Sequence, residues 1–66
     1  MNFKIELTHE IDGRWIADIP ALPGVMVYGA TKDEAKSKVE ALALRVIADR
    51  LESEQSTMDH VRFPVA

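Results

Sequence analysis

From Phe3 to Leu7 the apolar residues Phe3, Ile5 and Leu7 alternate with Lys4 and Glu6, the two-residue period of a strand with one buried face. Between His9 and Gly13 an Asp12-Gly13 pair supplies the backbone angles of a tight hairpin turn. A second strand is expected from Arg14 to Ile19, with Trp15, Ala17 and Ile19 on one face and Arg14, Ile16 and Asp18 on the other. Ile16 breaks that otherwise polar set. Pro20-Ala21-Leu22-Pro23-Gly24 then reads as a rigid corner, because two prolines remove backbone donors and a glycine permits a left-handed turn. Leu22 is expected to plug the core there. Val25 to Tyr28, rich in strand formers and closed by Gly29, gives a third strand.

Thr31-Lys32-Asp33-Glu34 fits a capping box, in which the threonine hydroxyl accepts from the Glu34 amide and the glutamate returns to the amide of Thr31. In the helix that follows, Ala35, Val39, Leu42, Ala43, Val46 and Ile47 fall on one stripe. Ala41, Leu44, Ala48 and Leu51 recur on the opposite side and leave the second half apolar on two faces. Glu52 to Asp59 is polar and unpatterned, a connector. Val61, Phe63 and Val65 alternate with His60, Arg62 and Pro64, a last strand in which the proline implies an edge position.

The order strand-strand-strand-helix-strand makes an α+β chain of two layers. Meander pairing followed by a right-handed helical crossover predicts a sheet of order 3-2-1-4. One helix covers one sheet face, so the other must be polar or meet another chain. At 66 residues the whole chain, 1–66, is a single domain of marginal stability. It has no cysteine, hence neither a disulfide nor a thiolate zinc site, and association with itself is the remaining support. A homo-oligomer, most simply a dimer, is expected. Two surfaces are available for it, the open sheet face around Ile16 and Tyr28 and the outer helix face of Leu44, Ala48 and Leu51, of which the helix face is slightly favoured.

Eleven acidic against eight basic residues give a net charge of -3, which disfavours phosphate backbones and suits a basic protein partner. No uninterrupted apolar run approaches the roughly 18 residues that span a bilayer, so a cytoplasmic chain that binds neither membrane nor DNA directly is expected. A metal-dependent nuclease needs several convergent carboxylates, and only Glu6 and Asp18 share a candidate face. His9 and His60 are too few for a zinc site, and Ser37, Ser53 and Ser56 lie in no nucleophile pattern. No catalytic, cofactor or metal site is expected. Trp15 reads as a core filler. The suggestive cluster is Ile16 with Tyr28, or with Met26 if strand three faces the other way; beside Asp18 it forms the candidate partner-binding patch.

The stretch Asp12-Gly13-Arg14-Trp15-Ile16-Ala17-Asp18-Ile19-Pro20-Ala21-Leu22-Pro23-Gly24, followed by Gly29-Ala30-Thr31-Lys32-Asp33-Glu34-Ala35, resembles the N-terminal domain of HicB-like antitoxins. The carriers are an aromatic-x-Ala strand, a Leu-Pro-Gly corner and a Thr-x-x-Glu-Ala helix start. Pro20, Leu22, Pro23, Gly24, Thr31 and Glu34 are read as structural members of that signature. The resemblance implies a partial ribonuclease H-like fold without nuclease residues. It also implies a non-enzymatic module that neutralises a small basic ribonuclease toxin by covering its active site. Ala21 departs from the family's usual acidic residue before Leu-Pro-Gly. The helix-turn-helix or ribbon-helix-helix domain usual in the family is not expected to follow, so operator binding is not carried over. The alternatives are a solitary regulatory or scaffold module without a toxin and a degenerate metal-dependent nuclease.

Overall fold

The computed structural model describes residues 1–55 and 57–66. Three short strands, β1 (Glu6–His9), β2 (Trp15–Asp18) and β3 (Met26–Gly29), form an antiparallel sheet in the order β1-β2-β3, and a 23-residue helix, α1 (Lys32–Glu54), follows. The fold is α+β. The β1–β2 turn is closed by Gly13 N donating to Glu10 O (3.0 Å) and Glu10 N donating to Arg14 O (2.8 Å). In the β1 to β2 register Leu7 faces Ala17, and β2 to β3 places Val27 beside the same Ala17, so one row of apolar residues crosses all three strands toward α1.

The first strand sits later than the alternation from Phe3 predicts, because pairing with β2 begins only at Glu6. Residues 2–5 pair instead with the C-terminal segment, through parallel bridges Asn2–Arg62 and Ile5–Val65. Arg62 N donates to Met1 O and Phe3 N to Arg62 O, both at 2.8 Å; farther along, Ile5 N donates to Pro64 O (2.8 Å) and Ala66 N to Ile5 O (2.9 Å). The rung missing from this alternation is the one in which residue 64 would donate to Phe3 O, and proline carries no N–H. The expected last strand is therefore two isolated bridges either side of a lost rung. Pro64 turns its nitrogen toward the N-terminal segment, not toward an outer edge as its edge reading implied.

The corner is two consecutive turns. Leu22 N donates to Ile19 O (2.9 Å) and Val25 N to Leu22 O (3.0 Å), with Pro20 and Pro23 each at the second position, where their fixed φ fits. Gly24 follows Pro23 at φ +86, the left-handed third position of a type II turn. The pair of turns carries Leu22 to 1% exposure. Thr31 caps α1, its Oγ1 accepting from Glu34 N at 3.1 Å. Glu34 Oε1 accepts in return from Ala30 N (3.4 Å), one residue before the amide the capping box names.

On α1 the buried residues are Ala35, Val39, Ala43 and Ile47, which with Phe3, Ile5, Ala17, Ile19, Leu22 and Val25 make the core. At 3.6 residues per turn each step of four advances about 40° around the axis, so this row slants across the helix. Its next member is Leu51. That residue is half-buried against the core, a correction to its expected place on the outer face with Leu44 and Ala48, which are exposed. The helix also runs to Glu54, past the predicted start of the connector, and ends on Gln55 in the left-handed region, whose N–H donates to Leu51 O. No helix among the described residues is long and apolar enough to cross a membrane.

Candidate functional site

Strand pairing decides which side chains the helix leaves uncovered. Opposite the Leu7–Ala17–Val27 row, β1 presents Glu6 and Thr8, β2 presents Ile16 and Asp18, and β3 presents Met26 and Tyr28. Two cross-strand rows result, Thr8–Ile16–Tyr28 and Glu6–Asp18–Met26. Ile16, Asp18, Met26 and Tyr28 thus share one open face. Met26 and Tyr28 stand two residues apart on one strand and point the same way, so the sequence reading that set one against the other is corrected. Met26 is 51% and Tyr28 43% exposed.

Arg14, to which the sequence reading gave no role, extends this face. Its guanidinium carbon lies 4.5 Å from the Tyr28 ring centroid, and its Nε donates to Asp12 Oδ2 at 2.8 Å. Asp12 Oδ1 accepts from the Arg14 amide at 3.0 Å, and that bond, with the guanidinium beside it, holds the Asp12 carboxyl below its usual range. The Asp12-x-Arg14 spacing at the turn was the available signal. A planar cation stacked on an aromatic ring favours an ordered ring position.

The other end of the face is acidic. Glu6 and Asp18 are direct cross-strand partners, an arrangement of like charges that works against the sheet. Neither takes part in any ion pair among the described residues. Asp18 Oδ1 is enclosed and meets no hydrogen-bond donor among the described residues. An enclosed carboxylate oxygen without a donor is costly, and a cationic side chain brought up to the Glu6–Asp18 pair relieves the repulsion between the two carboxylates.

The remaining candidates lie elsewhere. Leu44 is 46% exposed beside Ala48 on the outer face of α1, where Ala41, Leu44 and Phe63 line an open groove of about 490 Å³. Trp15 is half-buried at the core margin; its ring stacks on His9 (centroids 4.3 Å apart, 4° between planes), and Lys32 Nζ lies 5.8 Å from its centroid. His9 ends β1, where the sequence reading had it in the turn. His60 is exposed, and Ser56 lies outside the described residues. Among the described residues no three His, Cys, Asp or Glu side chains are grouped as a metal ion requires.

Comparison with known proteins finds a UPF0150 protein of Thermoplasma acidophilum, 33% identical over 51 residues that span 77% of this chain and 72% of that protein. No family model matches the chain, and no solved structure matches it significantly.

Proposed function

The chain belongs to the UPF0150 family, and from that premise we propose that it is a HicB-like, non-enzymatic antitoxin module that neutralises a small basic ribonuclease by covering its active site. The observation that carries the reading is the open sheet face, where the opposed Glu6 and Asp18 adjoin the apolar Ile16, Met26 and Tyr28. An acidic end attracts and orients a basic partner, and a compact aromatic and aliphatic centre supplies the desolvated contact that holds it. The opposed carboxylates of Glu6 and Asp18 give an arginine or lysine of the toxin a charged pair to approach.

The same reading extends to the fold. Counting the C-terminal segment as a fourth strand beside the N-terminal residues gives the order 3-2-1-4 of a partial ribonuclease H-like domain. The parallel bridges Asn2–Arg62 and Ile5–Val65 support that count.

Co-expression with a cognate basic ribonuclease tests the function. Growth arrest should be relieved and the two proteins should purify together. Asp18→Lys and Ile16→Asp should each weaken the complex by about tenfold or more while melting temperature stays within a few degrees. A toxin equally active with and without this protein rejects the reading.

A further inference from the structure

The outer edge of β3 is the feature that the proposed toxin face does not use. Ile19 N donates to Val25 O at 3.1 Å, which sets the alternation of the β2–β3 ladder. Val25, Val27 and Gly29 therefore turn their backbone groups toward β2, and Met26 and Tyr28 turn theirs outward. Two of the outward donors are already satisfied within the chain. Met26 N donates back to Gly24 O (3.2 Å), and Ala30 N donates to Glu34 Oε1 (3.4 Å). Between these two closed ends, the N–H and C=O of Tyr28 remain as an adjacent donor and acceptor without a partner among the described residues.

We infer that β3 is a self-pairing edge, on which a second copy of this chain adds antiparallel across a two-fold axis at Tyr28. The pattern is self-complementary, since under that symmetry each Tyr28 N–H meets the other Tyr28 C=O, and the closed flanking donors define the register. Residues 25–30 carry no charge, so two copies with net charge -3 each align here without opposing like charges. Edge strands are normally blunted by lysine, proline or a bulge, and β3 has none of these. Pairing also places the exposed Tyr28 side chains of the two copies side by side, with each Met26 opposite Ala30 of the other copy, joining two open faces into one. This inference is independent of the antitoxin reading and is tested without a toxin.

Sedimentation of the purified chain from micromolar to millimolar concentration should show a species of twice the 7.4 kDa chain mass. Tyr28→Pro removes the outward donor without touching a bond to β2, and Tyr28→Lys opposes two charges on the axis. Both should sediment at the single-chain mass, whereas Leu44→Glu on the outer helix face should remain dimeric. Hydrogen exchange on the wild-type protein gives a readout free of any folding defect in the variants. The Tyr28 amide should slow by about tenfold or more as concentration rises, in step with the dimer. A wild-type monomer at millimolar concentration, a dimer lost on Leu44→Glu but kept with Tyr28→Pro and Tyr28→Lys, or a dimer whose Tyr28 amide exchanges freely each overturns the inference.

Discussion

Gly29 lies so close beneath the first turn of α1 that a Cβ on it would stand 2.5 Å from the backbone nitrogen of Ala35 and 2.8 Å from its Cα. Those are backbone atoms of a capped helix start, and no flexible side chain is there to yield. Glycine at the end of β3 therefore sets how near the helix comes to the sheet. The contact joins the last strand residue to the first buried residue of the helix.

Gly29→Ala should destabilise the chain by about 1–3 kcal/mol in denaturant unfolding, through displacement of the helix start. Gly24→Ala isolates a different cause, because a Cβ there meets nothing within 4 Å and only the positive φ is strained. It should cost about 1–2 kcal/mol and leave the Gly29–Ala35 contact intact by NMR. Equal chemical-shift changes at Ala35 in both variants would contradict the steric account.

Two carboxyls give stability an acid dependence of known sign. The Lys38 ammonium first, then the Ala30 amide, holds Glu34 below its ordinary value of 4.5, and the Arg14 amide does the same for Asp12 below 3.8. A group whose folded pKa is depressed contributes fully above its ordinary value and loses that contribution as pH falls through the folded one. Melting temperature should therefore fall with acidification below about pH 4.5. Glu34→Gln should flatten that fall, which a thermal series from pH 2 to 7 reads directly.

Pro64→Ala restores a donor opposite the Phe3 carbonyl. One added hydrogen bond is worth about 0.5–1.5 kcal/mol, and losing proline's restriction of the unfolded chain offsets about 0.4–1 kcal/mol. Global stability should thus change by less than about 1 kcal/mol. The new amide at position 64 should nevertheless be protected from exchange, and a freely exchanging amide there would reject the missing-rung account.

Leu22→Ala should cost about 2–5 kcal/mol, because the side chain is fully enclosed at the corner. In a chain this small that is enough to unfold a large fraction at room temperature. Leu44→Ala, by contrast, removes a half-exposed side chain and should stay within about 0.5 kcal/mol in circular-dichroism melts.

Local rules in the sequence anticipated much of this molecule. Thr31 caps the helix because a hydroxyl in extended backbone reaches the Glu34 amide, a contact within four residues that any reader of Thr-x-x-Glu expects. Leu22 is buried because Pro20 and Pro23 leave the corner little choice of shape. The alternation of Ile16 with Ala17 likewise placed Ile16 and Asp18 on the uncovered face. What escaped depends on distant partners. The boundary of β1 at Glu6 follows from residues 2–5 pairing with a segment about sixty residues away, and Leu51 turns inward because the buried row drifts around the helix. Arg14 over Tyr28 joins the β1–β2 turn to β3, whose register against β2 no local pattern specifies.

The Gly29–Ala35 contact makes the space between helix and sheet a wedge. At its thin end a glycine and an alanine touch; at its thick end Phe3, Leu22, Ile47 and Leu51 surround a crevice of about 190 Å³. Tolerance of sequence drift is therefore polarised along the helix. Near Gly29 the chain accepts no added atom, whereas near Leu51 it can take larger apolar side chains and suffers chiefly when atoms are removed. Homologous chains should diverge in side-chain size at the thick end while the thin end stays small.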